Sequence, residues 1–390
     1  MTMATNNNPL LNCPPLRFPE FSDPWKKTTL GEVAEFIQYR GKSNTLYLSV
    51  ESFLPNFQGI ADLQNDTQSS GIGFEPDDVL MSNIRPYLRK VWYANRSGTC
   101  SPDVLVFRSK SVILPKFLYS IIANQSFVSY IMQGAKGVKM PRGDKQQMLL
   151  YSFSLPHFSE QGKIAEFLSL IDERIETQRQ TIEERKKQKK ALICNFFKEI
   201  DFSTCPISDF GELKNGYAFR SDTYDCNGSH RIITISNVTG DRYTNMSNHN
   251  SVRTLPKDIK PHQILRHNDI LISLTGNVGR VSLCSVDGDL LNQRVGVLKV
   301  FDSFYKQYVY HLLSSRHFEQ SMIDRGQGAA QLNISKTDIE NYNIPIPHNK
   351  SIIPILSNTL NCFDERIEVE EKLLGKYEEQ KQYLLRKMFV

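Results

Sequence analysis

The chain has 390 residues, of which 40% are hydrophobic and 23% charged, and its formal net charge is +5. That length exceeds one ordinary domain and allows two separate cores. The chain is less basic than a protein that holds DNA through phosphate contacts alone, and no uninterrupted apolar run reaches membrane-spanning length.

The first fifteen residues are polar and contain proline, without an apolar core of signal-peptide type. TLGEVAEFIQYRGKS near Thr29 opens a compact region that continues through PDDVLMSNIRPYLRKVW around Asp78 and the β-rich run DVLVFR. Helical character begins at Phe117 in FLYSIIANQSFVSYIMQG, followed by the glycine-containing loop GAKGVKMPRGDK. LYSFSLPH closes the region at the Leu155-Pro156 break, a natural stop before a helix.

A long helix comes next. Its seam positions are Ile164, Leu168, Ile171, Ile175, Gln178, Ile182, Arg185, Lys189, Leu192 and Phe196, spaced alternately four and three apart. A heptad seam kept over four heptads predicts a coiled coil rather than a generic amphipathic helix. The basic run RKKQKK, Arg185 to Lys190, has two readings: contact with DNA or an acidic partner, or a solvated helix face beside Glu183 and Glu184.

The remainder repeats the first part. DFGELKNGYAFRSD near Asp209 answers the opening, HNDILISLTGNVGRVSL around Asp269 answers the Asp78 run, and YVYHLLSSRHFEQSMIDRG at Tyr308 answers the Phe117 segment. NYNIPIPH then precedes a second long helix, in which DERIE recurs 192 residues after its first occurrence. The same offset gives a second seam: Leu356, Leu360, Phe363, Ile367, Glu370, Leu374, Tyr377, Lys381, Leu384 and Met388. A period this long is no solenoid repeat. It predicts two α/β heads and two long helices, pseudo-twofold symmetric, with the helices antiparallel. Each helix is expected to span about 33 residues, or roughly 50 Å at 1.5 Å per residue. Such a length can hold two heads a duplex turn of roughly 34–36 Å or more apart.

Catalytic signatures are missing. RGKS at Arg40 to Ser43 resembles the end of a phosphate loop, but the glycine required five residues before Gly41 is Phe36. TGNVG at Thr275 lacks dinucleotide-binding spacing, and no Asn-Pro-Pro-aromatic methyltransferase motif occurs. The seven cysteines form no CxxC and no close Cys/His group, which argues against zinc or a disulfide framework and predicts reduced thiols in a cytoplasmic protein. No metal site is expected.

Base edges are read by Arg, Lys, Asn and Gln on loops that enter a groove. In the first head the candidates are Tyr39, Arg40 and Lys42; then Asn83, Arg85 and Arg89; then Lys136, Lys139 and Arg142. Matching loops of the second head carry Asn215, Tyr217 and Arg220; Thr275, Asn277 and Arg280; and Gln327, Gln331 and Asn333. Asn292, Gln293 and Arg294 add a polar cluster before a strand, where Arg294 could instead close an internal salt bridge. GAKGVKMPRG is cationic where GQGAAQLNIS is neutral, which predicts different half-sites on a common frame.

The opening RFPEFSDPWKKTTLGEV, the DILISLTGNVGRV and LNQRVGVL runs, the two proline-terminated strands and the duplicated DERIE helices resemble the specificity subunits of type I restriction-modification systems. The resemblance covers nearly the whole chain. It implies target recognition domains at 1–155 and 201–347, and conserved coiled-coil helices at 156–200 and 348–390. It further implies a bipartite, asymmetric duplex DNA target and assembly with two modification subunits, to which restriction subunits add. The chain itself would be non-catalytic and carry no cofactor, with S-adenosylmethionine, ATP and Mg in partner subunits. The competing expectation is a coiled-coil scaffold whose heads bind protein and read no DNA sequence.

Overall fold

The computed structural model describes residues 13–43, 46–61, 69–135, 137, 139–326 and 332–389. Contacts divide the chain into two units, residues 1–179 with 372–390, and residues 180–371. The sequence division set each long helix apart as its own block. The structural units instead cut both helices, because each helix end is built into the core of a head.

In the first unit, β1 (Lys26–Thr29) passes through one helical turn, α1 (Leu30–Val33), into β2 (Ala34–Phe36). Strands β3 (Arg40–Ser43), β4 (Tyr47–Leu48), β5 (Ser69–Phe74) and β6 (Val79–Ser82) follow. After β7 (Val91–Tyr93), β8 (Gly98–Cys100) and β9 (Val104–Ser109) come α2 (Pro115–Ile122), α3 (Gln125–Gln133) and α4 (Lys145–Leu149). Finally β10 (Ser152–Leu155) pairs antiparallel with β1, so the chain enters and leaves the head through one ribbon.

The main sheet has the order β2-β9-β6-β7, and β3-β5-β8-β4 forms a second sheet. β6 and β9 read as the apolar runs VLMS and VLVF because both of their faces are covered. Alternate residues point to opposite sides of a strand. Val79, Met81, Leu105 and Phe107 therefore join the core shared with α2, α3 and the long helices, while Leu80, Val104 and Val106 join a smaller core with Leu48 and Phe74 of the second sheet.

α5 (Phe158–Glu199) leads into the second unit, where the plan recurs. Its strands are β11 (Phe202–Pro206), β12 (Gly211–Asn215), β13 (His230–Ile233), β14 (Asn250–Val252) and β15 (Ile270–Ser273). Then come β16 (Val281–Leu283), β17 (Leu290–Leu291), β18 (Val295–Val300), α6 (Ser303–Leu313), α7 (Arg316–Arg325) and α8 (Lys336–Glu340). β19 (Asn343–Pro347) pairs with β11 as the exit ribbon, and α9 (Ile352–Lys387) ends the fold. The main sheet, β12-β18-β15-β16, has the same order as its counterpart, and Ile270 and Ile272 face one core while Leu271 faces the other. A buried strut is duplicated too. Asp78 takes both arms of Arg108 at 2.8 Å and the Glu75 amide at 2.8 Å; Asp269 takes Lys299 at 2.6 Å and the Arg266 amide at 2.9 Å. The second sheets differ: four strands in the first head, but three, ordered β14-β13-β17, in the second.

The helices are longer than expected, 42 and 36 residues, because their outer turns continue into the head cores. Ile164 and Leu168 of α5 share a core with Leu384 and Met388 of α9, and Leu356 and Leu360 of α9 share one with Leu192 and Phe196 of α5. Every seam position named from the sequence is buried or half-buried. In the first unit Lys381 pairs with Asp172, and Arg179 with Glu378 at 2.6 Å. In the second, Lys189 pairs with Asp364 at 2.5 Å and Lys186 with Glu371 at 2.9 Å. Residue numbers fall along α9 as they rise along α5, so the helices are antiparallel. The first pair of each unit is the repeat of the other, and the second pair repeats with its charges exchanged. RKKQKK is therefore no uniform solvated face: Lys186 and Lys189 are spent on α9, and only Lys187, Gln188 and Lys190 are exposed. Among the described residues no helix is long and apolar enough to cross a membrane.

Candidate nucleic-acid interface

Three loops of the first head are tied together by backbone. The Asn83 amide donates to the Asp103 carbonyl at 2.8 Å, the Arg85 amide donates to the Pro141 carbonyl at 2.8 Å, and Ile84 bridges Arg142. The second head builds the same junction. The Leu274 amide donates to the Arg294 carbonyl at 3.0 Å, the Gly276 amide donates to the Leu332 carbonyl at 2.9 Å, and Thr275 bridges Asn333. The frame is shared and the side chains on it are not.

Backbone conformation sharpens the contrast. Gly276 and Gly279 have φ of 75° and 76°, and at the matching places the first head has Arg85 at 51° and Arg89 at 56°. A side chain in the left-handed region costs about 1–2 kcal/mol, and such residues concentrate at functional sites. Arg85 is exposed, beside exposed Tyr87. Arg89 is half-buried, and its Nε has no hydrogen-bond partner among the described residues.

The candidates separate into exposed residues and struts. Asn83 is buried and its Oδ1 accepts from the Gly143 amide at 3.1 Å; buried Asn292 accepts from the Arg294 amide at 3.1 Å. Both side chains hold loop shape instead of pointing outward. Arg142 pairs with Asp103 at 3.1 Å, Arg220 with Asp222 at 2.9 Å, and Arg280 with Glu319 at 3.3 Å. The Tyr217 hydroxyl donates to Asp258 at 2.9 Å, which raises its pKa. Thr275 Oγ1 donates to Asn333 Oδ1 at 3.0 Å, and the Asn215 carbonyl accepts from Gln263 at 3.4 Å. Asn277, Gln293 and Arg294 are exposed, and Arg294 makes no ion pair among the described residues, so the internal salt bridge weighed for it does not form there.

In the second head Tyr217 bridges Asn292, and the Gln293 amide donates to the Tyr217 carbonyl at 2.9 Å, which joins a further loop to the Arg294–Thr275–Asn333 group. Gly216 makes this approach possible, since a Cβ there would lie 2.2 Å from the Asn292 carbonyl oxygen. Tyr39 and Arg40 of the first head stand on or beside the second sheet, with the Tyr39 ring over Gly73. Exposed Lys139 shares the Pro141 loop. Lys136, Gln327 and Gln331 lie outside the described residues, as does the side chain of Lys42.

Sequence reasoning missed the acidic partners. Asp103 occupies the place of Arg294 in the matched runs SPDVLVF and NQRVGVL, and that alignment could have revealed it. The expected charge contrast changes accordingly: Asp103 offsets Arg142 in the first cluster, and Arg294 adds a cation to the second.

Two heads of one sheet order on a pair of antiparallel helices define a duplicated recognition module. The type I restriction modification DNA specificity domain matches residues 22–185 and again 199–375, and the chain belongs to that family. A solved type I restriction-modification S subunit from M. genitalium aligns with a TM-score of 0.56 at 14% identity, over 97% of this chain and 99% of that one. A chain from a structure described as the basis of complex assembly and conformational transition of the type I R-M system aligns at 0.50 and 15% identity, over 93% and 97%. At these identities the likeness shows the fold.

Proposed function

We propose that each head reads one half of a bipartite, asymmetric DNA target, and that the length of α5 and α9 sets the non-specific spacer. The observation that carries this reading is the loop junction built twice on one frame, with Arg85, Arg142 and Asp103 in one copy and Gly276, Asn333 and Arg294 in the other. Arg85, Lys139, Tyr39 and Arg40 are the favoured contacts of the first head, and Gln293, Arg294, Asn277 and Asn333 those of the second. Asn83 and Asn292 act by holding the loops. The helices dock two modification subunits, through which restriction subunits join, in the cytoplasm. The chain carries no catalytic motif, so S-adenosylmethionine, ATP and Mg serve the partner subunits.

The test is to purify the chain with its modification partner and map methylated adenines across a genome. Two short defined blocks separated by a fixed undefined spacer are expected; methylation without sequence preference contradicts the reading. A four-residue insertion after Gln178 adds roughly 6 Å and about one turn. It should lengthen the spacer by one or two base pairs, at about 3.4 Å per pair, and leave both blocks unchanged.

A further inference from the structure

A pocket of about 480 Å³ opens on the second head beside the end of β18. His262, Arg266, His267, Asp269, Lys299 and Lys306 are its polar walls. Asp269 is the one carboxylate among these walls, and it is already engaged. It is buried, and its Oδ2 accepts from Lys299 at 2.6 Å and from the Arg266 amide at 2.9 Å. Both histidines are tied to backbone: His262 Nε2 donates to the Asn215 carbonyl at 3.2 Å, and His267 Nδ1 donates to the Ser285 carbonyl at 2.9 Å. Asp287 accepts the His267 amide at 2.7 Å and is not among the walls. Two cations remain. Arg266 is exposed and Lys306 half-buried, and neither makes an ion pair among the described residues.

The first head shows that the fold does not require these cations. Its strut of Asp78 and Arg108 matches that of Asp269 and Lys299 at an offset of 191 residues. At the same offset Glu75 stands for Arg266, Pro76 for His267 and Pro115 for Lys306. Glu75 also turns onto Arg108 at 2.9 Å. One frame thus carries an acidic, paired turn in the first head and two unpaired cations in the second.

The His262 bond to Asn215 ties the pocket to the loops proposed to read bases, because Asn215 leads through Gly216 into the Tyr217 bridge to Asn292. Asn215 pairs with Gly296, three residues before Lys299 on β18. At about 3.3 Å per residue, roughly 10 Å separates the loop group from the pocket. The major groove of B-DNA is about 12 Å wide. Side chains at base edges and a pocket at the groove's phosphate rim therefore fit one duplex. Arg and Lys are the usual partners of phosphate oxygens, which position a protein on DNA without reading sequence.

We propose that this pocket holds a backbone phosphate of duplex DNA beside the second half-site, with Arg266 and Lys306 as its contacts. The inference rests on the DNA-recognition reading and adds a sequence-independent grip to it. That grip belongs to the second head alone at this place in the frame.

The test measures binding of the chain, complexed with its modification partner, to fluorescent duplexes by anisotropy over a range of salt. One duplex carries the mapped target and the other has its second block scrambled. Arg266→Gln with Lys306→Gln should weaken binding to both duplexes equally, about tenfold at low salt. The slope of log affinity against log salt should become shallower by about 1, and the affinity ratio of the two duplexes should hold. The melting temperature should hold as well, because the Arg266 turn is closed by backbone groups. Lys350→Glu alters net charge by the same amount at an exposed place outside the pocket and should leave the slope unchanged. An unchanged slope in the double variant, an equal loss in Lys350→Glu, or an altered affinity ratio overturns the proposal. An unchanged slope with weakened assembly would assign the pocket to an acidic polypeptide instead. A parent that binds both duplexes equally would sink the recognition reading, while the slope would still decide the pocket.

Discussion

The two units bury the same lysine–aspartate pair in different surroundings. In the first, Lys381 meets Asp172 with its ammonium 5.8 Å from the centre of the Tyr119 ring, and the Asp172 side chain is 34% exposed. In the second, Lys189 meets Asp364, which is 9% exposed, and His311 stands where Tyr119 did. Burial, with Lys189 and Arg242 nearby, pushes the His311 imidazole down to about 3, so it stays neutral. Its Nε2 donates to Asn361 at 3.0 Å, while Nδ1 and the second Asp364 oxygen have no hydrogen-bond partner among the described residues. Burial also lowers the Lys189 pKa, against the pull of Asp364. Duplication kept the charge pair and the helix geometry; the neighbours decide whether the pair is wet or dry.

That contrast predicts unequal costs. Lys189→Met strands the buried Asp364 carboxylate and should destabilise by about 3–5 kcal/mol. Lys381→Met leaves Asp172 able to reach water and should cost about 1–3 kcal/mol. Denaturant unfolding of the two variants measures both, and equal losses would break the comparison.

The loops proposed to read DNA give the next largest effect. Gln293→Ala and Arg294→Ala should each lose about 1–3 kcal/mol of discrimination in the second half-site alone, measured as methylation rates on single-base variants of the target. Asn292→Ala should instead lower stability by about 1 kcal/mol, because its Oδ1 accepts the Arg294 amide.

Acid should separate the units further. The His311 pKa is about 3 in the fold against an ordinary 6.5, so the unfolded chain binds the extra proton between those values. Stability of the second unit is full above about pH 6.5 and falls as pH drops toward 3, by about 2 kcal/mol at pH 5. His311→Tyr, which copies the first unit, should flatten that slope in pH-dependent unfolding.

The smallest expected change in stability is at Arg85. Arg85→Gly relieves a left-handed side chain and should shift stability by about 1 kcal/mol or less. It should nevertheless relax the first half-site. A large loss of stability with unchanged specificity would make Arg85 a structural residue.

Local pattern carried most of the fold. The 192-residue repeat, the heptad seam, the proline stops and the apolar strand runs are all short-range signals, and each marks an element now seen. Helix length was underestimated because the first turn of α5, ahead of the seam, is built into the head: buried Glu160 accepts from Arg17 at 2.6 Å and buried Gln161 accepts from the Leu114 amide at 2.9 Å, contacts that a heptad seam does not show. The candidate site was legible as loops but not as side chains. Whether Arg142 is free depends on Asp103, Arg280 depends on Glu319, and Arg242 reaches helix residues more than 120 positions away. Those meetings arise only when distant loops fold together. The left-handed backbone at Arg85 and Arg89 is likewise invisible in residue type, and only alignment with Gly276 and Gly279 hints at it.

The most direct test of two independent readers on one frame is exchange of a head. Cys205 on β11 lies opposite Ile344 on β19, so residues 205–345 can be replaced by a relative's segment with both joints on one paired ribbon. The chimaera, purified with its modification partner, would then have its methylated adenines mapped. Two half-readers predict a new second block, an unchanged first block and an unchanged spacer. Simultaneous change of both blocks, or of neither in an active chimaera, would contradict the account.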